Sequence, residues 1–328
     1  MGKYAVIGSN SFSGSSFVKH LCKQGHEVLG ISRSPELHPV FLAYKGHQDE
    51  SFSFHQLDLN QELDSVISTI GDFRPDYVVN FAAQGMVAQS WNKPGDWFQT
   101  NAVATVKLHD GLRKFDWLKR YVHISTPEVY GSCEGMVQED HPFSPSTPYA
   151  VSRAAADMSL LSFIKAYNFP VVFTRAANVF GEHQQLYRII PRTILYFLTG
   201  KKLQLHGGGT SVRSFIHIDD VCEGTERAAE NGNSGEVFHF ATLENISIRS
   251  LVEMISERLG VRFEDNVEVS GERLGKDAAY LLDCTLAKQR LKWEPRISLW
   301  QGLDRTTDWV KDNLEVLMRQ PQDYIHKP

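Results

Sequence analysis

The sequence predicts an α/β fold built around a parallel sheet, and three observations carry that prediction. Short apolar runs alternate with longer segments of helical spacing through the first half of the chain. The runs are nearly continuous in apolar residues, as YAVI (4–7) and YVVNFA (77–82) show, which suits strands covered on both faces. A glycine turn follows the first run directly and opens the first helix. Strands separated by helices of about 10–15 residues assemble as right-handed βαβ units. The expected architecture is therefore a Rossmann-type doubly wound parallel sheet with a smaller C-terminal domain.

The elements follow in order. Residues 4–7, 27–31, 52–57, 77–82, 121–125 and 171–175 read as six strands. Residues 14–24, 61–70, 97–114 and 149–167 carry helical spacing between them. The rhythm breaks after about residue 180, where HGGGTS (206–211), a helix near 248–259 and two tryptophans, Trp293 and Trp300, follow. Residues 1–180 are expected to form one unit and 181–328 a second, smaller one. Residues 214–240 read as strand, helix, strand and are expected to return to the first unit. The two tryptophans are expected to pack in the core or between domains.

Composition sets limits. Lys and Arg number 34 against 39 Asp and Glu, a net charge of −5, which disfavours a nucleic-acid binder because such proteins need a basic face. Hydrophobic residues make up 42% of the chain, enough for a sizeable core. No apolar run approaches the roughly 20 residues that span a bilayer, and MGKYAVIG has no signal-peptide character. Cys22, Cys133, Cys222 and Cys284 are scattered, without a C-x-x-C pair. The 13 histidines show no metal-ligand spacing, so no metal is expected. Asp219 and Asp220 suit a turn or helix start better than a metal site. A cytoplasmic location is expected.

The chemistry-bearing motifs lie at strand ends. Gly8-Ser9-Asn10-Ser11-Phe12-Ser13-Gly14 places Gly8 at a tight turn and Gly14 where helix and strand pack closely; Ser11 replaces the usual middle glycine. In that setting a dinucleotide pyrophosphate rests on a helix N-terminus, so Gly8, Ser11, Phe12 and Gly14 are candidate cofactor residues. The second strand ends at Ser32 and Arg33, where NAD-preferring proteins usually carry an acid for the ribose 2′-hydroxyl. A hydroxyl and a guanidinium suit a 2′-phosphate, so NADP is the favoured cofactor and NAD the alternative. Asp58 and Leu59 are placed near the adenine, and Ala82 and Ala83 are small where backbone must approach a cofactor.

The fifth strand runs into Ser125-Thr126-Pro127-Glu128-Val129-Tyr130-Gly131. Tyr149 and Arg153 follow, four residues apart at a helix start and hence on one face. A phenol titrates near pH 10, and an adjacent cation brings it towards use as a base. Ser125 or Thr126 is positioned to hydrogen-bond the same substrate oxygen, and Glu128 adds a carboxylate.

With these motifs in order, the chain resembles the extended short-chain dehydrogenase/reductases, in particular the nucleotide-sugar 4,6-dehydratases and their epimerase and decarboxylase relatives. The resemblance runs over nearly the whole chain: the glycine turn, NFAAQ, STPEVYG, SPSTPYAVSRAAAD, TRAANVFG, IIP (189–191), VRSFIHIDDV, RLGKD (273–277) and LKWEP. It implies a nucleotide-diphosphate sugar substrate and a nicotinamide cofactor used transiently. Tyr149 would take the C4 hydroxyl proton as C4 hydride leaves, Thr126 would hydrogen-bond that oxygen, and Glu128 would remove the C5 proton. Loss of the C6 hydroxyl and hydride return complete the reaction. Gln84 resembles the GDP-mannose branch and RLGKD the dTDP-glucose branch, so the base stays open. Asn178, Arg213 and Arg273 match positions on the sugar and diphosphate side, with Arg188 and Lys202 as candidate helper cations.

Two departures stand out. Arg153 replaces the family's lysine and is no proton relay, because guanidinium stays protonated. Pro127 replaces an aspartate that protonates the leaving hydroxyl in the dTDP-glucose branch. Epimerisation, 4-reduction or C4 oxidation on the same scaffold, and a non-catalytic nucleotide-binding role, remain alternatives. The resemblance also implies a homodimer through a four-helix bundle of helices 97–114 and 149–167, whose apolar positions Phe98, Val106, Leu108, Leu160, Leu161 and Ile164 fit either an interface or a core.

Overall fold

A computed structural model describes residues 1–46, 51–271 and 281–327. Strands β1 (Lys3–Ile7), β2 (Glu27–Ser32), β3 (Phe52–Gln56), β4 (Tyr77–Asn80) and β5 (Arg120–Ile124) alternate with helices α1 (Phe12–Lys23), α2 (Leu63–Phe73), α3 (Pro94–Phe98) and α4 (Thr105–Leu112). A short β6 (Met136–Val137), the long α5 (Pro148–Tyr167), β7 (Val171–Ala176), β8 (Asn178–Phe180), α6 (Ile189–Leu198), β9 (Leu203–His206) and β10 (Val212–His217) follow. Then come α7 (Ile218–Asn231), β11 (Val237–Phe240), β12 (Asn245–Ser247), α8 (Ile248–Leu259), α9 (Phe263–Asn266), β13 (Val267–Ser270) and β14 (Leu281–Leu282). Helices α10 (Thr285–Leu291), α11 (Leu299–Asp312) and α12 (Leu314–Met318) close the order.

Seven strands form one sheet in the order β11-β7-β5-β4-β1-β2-β3, parallel throughout. The order reverses between β1 and β4, which creates a crevice at the strands' carboxyl ends. Alternation along the strands explains why they read as unbroken apolar runs. Tyr4, Val6, Val28, Val79, Val122 and Val172 pack on one face against α1 and α7. Ala5, Ile7, Leu29, Val78, Tyr121 and Val171 pack on the other, against α2, α4 and α5. A separate core gathers Ile190 and Ile194 of α6, Leu251 and Ile255 of α8, and Leu303 and Val310 of α11.

The chain crosses between the two regions more than once. Ser214–His217 lies in a small sheet with β8 and β12, whereas β11 sits at the edge of the large sheet. Leu291 and Trp293 pack into the first core. Trp293 is buried and its Nε1 donates to the Asp220 carbonyl at 2.8 Å. Trp300, contrary to expectation, is exposed, with the Arg258 guanidinium over its ring at 4.4 Å. Asp219 and Asp220 occupy the first turn of α7, where acidic side chains meet the positive helix end.

One cluster has no spacing signal because separate elements supply it. Ligand atoms of His26, Glu226 and Glu230 lie within 4.8 Å of one another. The His26 Nδ1 accepts the Gly2 N–H at 2.9 Å, so in the neutral ring its Nε2 carries the proton directed at Glu226, 2.9 Å away. The ring is committed on both sides to hydrogen bonds within the chain.

Candidate active site

The glycine turn is closed by sterics. Gly8 has φ +84°, and a Cβ there would stand 2.7 Å from the Ala82 amide nitrogen. A Cβ on Gly14 would stand 2.2 Å from the Gly8 carbonyl oxygen. Ser11 caps α1: its hydroxyl accepts the Gly14 N–H at 3.0 Å and donates to the Gly8 carbonyl at 2.7 Å. Serine in place of the middle glycine thus knits the turn together through a side chain. The first-turn N–H groups of α1 have no partner within the helix itself.

A cavity of about 240 Å³ opens there. Gly8, Ser11, Ser32, Arg33, Asp58, Leu59, Ala82 and Ala83 all line it, with Asn10 and Lys327. The Ser32 hydroxyl accepts the Asn10 N–H at 3.0 Å, tying the end of β2 to the turn. An Arg33 Nη donates to the Lys327 carbonyl at 2.8 Å. Asp58 accepts the Asn60 N–H at 2.8 Å. Phe12 is buried in the first core, Gly14 sits behind the turn, and Arg153 lies beneath the site, so these three are not part of the lining.

The second cluster forms where β5 ends. Thr126 caps a single 3₁₀ turn, Pro127–Tyr130, and accepts the Glu128 N–H at 3.3 Å. Pro127 suits this first-turn position because it lacks an N–H that would go unpaired. Across from it, Thr147 caps α5 by accepting the Ala150 N–H at 3.1 Å, again with proline at the first position. These two caps fix Tyr149 opposite Thr126 and Glu128.

Burial pushes the Tyr149 phenol above its ordinary value. Arg153 opposes that, Glu128 adds to it, and a hydrogen bond with Thr126 and the charge of Arg188 oppose it again. Four residues expected at the site therefore act on one hydroxyl, Thr126 by a hydrogen bond and Arg153, Glu128 and Arg188 through their charge. The expectation that a neighbouring cation alone brings the phenol down is corrected, because desolvation outweighs the cation.

Arg153 is buried. One Nη donates to the Ile124 carbonyl and lies 3.4 Å from His123 Nε2. Ser125 faces away from Tyr149's partners: its hydroxyl donates to Asp157 at 2.7 Å. Asp157 also accepts from Arg175 at 2.8 Å and lies 3.3 Å from His123. Burial works against its charge, yet His123, Arg175 and Ser125 together hold the carboxyl well below the usual range. Arg175 in turn donates to the Tyr130 hydroxyl, which pairs with His239 at 2.7 Å.

Sequence reasoning missed His123, Asp157 and Arg175, although Asp157 stands two turns beyond Tyr149 and one beyond Arg153 on α5. It also missed Asn101. A π-helical turn over Gln99–Ala104 turns its amide towards Gln84: it accepts the Gln84 N–H at 2.8 Å and donates to the Gln84 carbonyl at 3.1 Å and Ser152 at 3.0 Å. Only the fold brings these groups together.

The substrate-side candidates are spread more widely. Asn178 on β8 donates to the Ser214 carbonyl at 3.1 Å, next to Arg213 on β10. Arg188 stands exposed at the N-terminus of α6, and its charge reaches Tyr149. Gln84 is buried, and its amide donates to the Lys327 carbonyl at 2.6 Å. Arg273 lies outside the described residues.

Residues 6–306 match the GDP-mannose 4,6 dehydratase family. The dTDP-glucose 4,6-dehydratase of Streptomyces antibioticus is 33% identical over 321 residues, covering 94% of this chain and 92% of that protein. The crystal structure of the dTDP-glucose 4,6-dehydratase DesIV from Streptomyces venezuelae, with NAD bound, superposes with a TM-score of 0.89 at 28% identity, covering 96% of this chain and 98% of that one. The UDP-glucose 4-epimerase of Thermotoga maritima, solved with UDP-glucose, superposes with a TM-score of 0.87 at 26% identity, covering 95% and 99%. The chain belongs to the GDP-mannose 4,6 dehydratase family, and its type is that of the nucleotide-sugar 4,6-dehydratases.

Proposed function

We propose that this protein removes water from a nucleotide-diphosphate hexose to give the 4-keto-6-deoxy sugar, with a nicotinamide dinucleotide held in the crevice. The observation that carries the reading is the carboxylate of Glu128 beside the Tyr149 phenol, in electrostatic reach of it. A 4-epimerase has no need of a base at C5, so a carboxylate there favours elimination.

The cavity residues fit such a cofactor: a turn that admits no side chain at Gly8 or Gly14, a helix N-terminus for the pyrophosphate, and small residues at Ala82 and Ala83. Gly8, Ser11, Ser32, Arg33, Asp58 and Leu59 would hold it, and Arg33 favours NADP over NAD. When bound, the nicotinamide supplies reversible hydride acceptance. The chain's own groups do the rest. Tyr149 removes the proton from the sugar C4 hydroxyl, and Thr126 hydrogen-bonds that oxygen. Arg153 supplies fixed positive charge beneath the phenol. Glu128 takes the C5 proton, made acidic by the 4-keto group, and returns a proton to the departing C6 hydroxyl, since Pro127 has none to give. Arg188, Arg213, Arg273 and Asn178 are assigned to the diphosphate and sugar, and Gln84 to the substrate side.

The α3–α5 surface supports a homodimer. Phe98, Val103, Val151, Met158 and Leu161 are exposed there, whereas Leu108 and Leu160 belong to the core. None of the four cysteines forms a disulfide, which fits a reducing, cytoplasmic setting. Among the described residues no helix is long and apolar enough to cross a membrane.

The test is to incubate the protein with GDP-mannose, with dTDP-, UDP- and CDP-glucose and with UDP-N-acetylglucosamine, and to follow 4-keto-6-deoxy product by mass spectrometry. Tyr149→Phe and Glu128→Gln should each cost about 10²–10⁴-fold in rate. Product that keeps its C6 oxygen and is inverted at C4 would make the protein an epimerase instead.

A further inference from the structure

Residues 321–327 have no regular secondary structure, and irregular surface segments of this kind usually fray. This one is tied down along its length. Its exposure alternates: Gln322, Tyr324 and His326 are half-buried while Asp323, Ile325 and Lys327 face outward, the pattern of an extended strand laid on a surface. At its start Arg192 of α6 donates to Asp323 at 2.8 Å, and Lys201 donates to the Gln322 side chain at 3.0 Å. At its far end His326 pairs with Asp96 at 2.7 Å and stacks on Trp97, with ring centroids 4.9 Å apart and planes within 7°.

Lys327 then reaches the crevice itself. Its carbonyl accepts from Gln84 at 2.6 Å and from Arg33 at 2.8 Å, and its ammonium donates to the Ser34 hydroxyl at 3.3 Å. Gln84 follows β4 and Arg33 follows β2, the strands on either side of β1. One residue therefore bridges the carboxyl ends of the strands that flank the glycine turn, and it lines the cavity. The segment joins α6 of the substrate region to α3 and the sheet.

We propose that residues 322–327 are a strap over the dinucleotide crevice, and that Lys327 is a cofactor-binding residue at the adenosine-ribose end. This rests on the reading of the crevice as a nicotinamide-dinucleotide site. Two consequences follow from the geometry. Lys327 lines the crevice and His326, one residue before it, is anchored on Asp96 and Trp97, so freeing His326 loosens the residue that holds a bound dinucleotide in place. The Lys327 ammonium stands beside Ser34 and the Arg33 guanidinium is held at the Lys327 carbonyl, so a ribose 2′-phosphate meets two cations that a 2′-hydroxyl does not need. A cofactor that is reduced and reoxidised within each cycle gains nothing from exchanging, and a strap that slows exchange suits that chemistry.

The experiment measures binding directly. Cofactor is stripped from the intact chain, from His326→Ala, from Lys327→Met and from a chain lacking residues 321–328. Dissociation rates and equilibrium constants for NADP and NAD are read by stopped-flow fluorescence and calorimetry, with a melting curve for each protein. His326→Ala and the shortened chain should release both dinucleotides at least tenfold faster. Lys327→Met should weaken NADP by about tenfold and NAD little, the worth of one hydrogen bond to a charged group. His326→Ala alters one side chain and keeps the test decisive if the shortened chain melts early. Variants that bind and release like the intact chain overturn the strap while leaving the crevice reading in place. An intact chain that binds neither dinucleotide overturns both.

Discussion

Asp157→Asn is the sharpest test of how the site is supported. The substitution keeps the shape of the side chain and removes its charge. In the protein the Asp157 and Arg175 side chains are 1% and 2% exposed, with 2.8 Å between Nη2 and Oδ2. The guanidinium then remains buried without its anion, since its other partner, the Tyr130 hydroxyl, is neutral. Removing one member of a buried pair costs about 3–5 kcal/mol. Ser125 and Arg175 both donate to Oδ2, so an amide carbonyl set there still accepts from both, which places the loss near the lower end, about 3 kcal/mol. Urea unfolding followed by tryptophan fluorescence reads this as a lower midpoint at unchanged slope. Asp157→Leu combined with Arg175→Met should recover more than half of it, because the charge and its desolvation leave together. A loss under about 1 kcal/mol for Asp157→Asn would mean that solvent relieves the pair, and a double variant as weak as the sum of its parts would refute the account of its energetics.

Gly14→Ala drives a methyl against the Gly8 carbonyl oxygen at 2.2 Å, backbone against backbone. Overpacking and the disturbed Ser11 cap should cost about 2–4 kcal/mol and weaken dinucleotide binding, checked by melting and calorimetry; a wild-type melting curve would contradict the steric argument. Burial pushes the Glu139 carboxyl up to about 7. The folded state thus holds a proton that the unfolded chain releases above about 4.3, and stability falls as pH rises from there to 7. Glu139→Gln should remove that part of the slope, seen as a gain over the parent in urea midpoint at pH 8 that vanishes at pH 4; equal differences at both would exclude it. Burial also raises Glu182, but the hydrogen bond from His217 and the charge of Arg305 outweigh it and bring the carboxyl down to about 2. Its contribution is present above the unfolded value of about 4.3 and lost as pH falls towards 2, so Glu182→Gln should flatten the acid limb of stability; an unchanged limb would show the pairing to be idle.

What was legible in the sequence follows from what each signal measures. Strands buried on both faces need apolar residues at every position, so YAVI and YVVNFA announce β1 and β4 without structural help. Gly8 and Gly14 were legible because only glycine fits where backbone meets backbone. Asp157 and Arg175 were not, since a charged residue on a helix is ordinarily solvated and only the β5–β7 pairing brings Arg175 under α5. Ser125 was assigned towards the substrate with Thr126 because adjacency in sequence was all there was to go on. Alternation along an extended chain sends the two hydroxyls to opposite sides, one to Asp157 and one to Tyr149. Trp300 misled because aromatic content predicts burial on average, while here Arg258 covers the ring at the surface.

Arg153 gathers these threads. A lysine in its place would present one mobile ammonium with three donors, able to give and take a proton. The guanidinium is planar and permanently charged. It is held down by the Ile124 carbonyl at the end of β5, the strand that carries Thr126 towards Tyr149. His123, 3.4 Å from it, has its proton affinity lowered by burial, so a second cation is not placed against the first. The Asp157 carboxylate beyond is taken up by Arg175 and Ser125. The charge that Tyr149 feels from below is therefore fixed in position and independent of pH. Such a site gives up proton relay through residue 153, and the phenol's proton must leave by another route. Thr126 hydrogen-bonds the phenol, and the Glu128 charge reaches it. In the proposed mechanism, arginine at 153 and glutamate at 128 form one arrangement: Arg153 would supply charge, and proton traffic would run between Tyr149, Thr126 and Glu128.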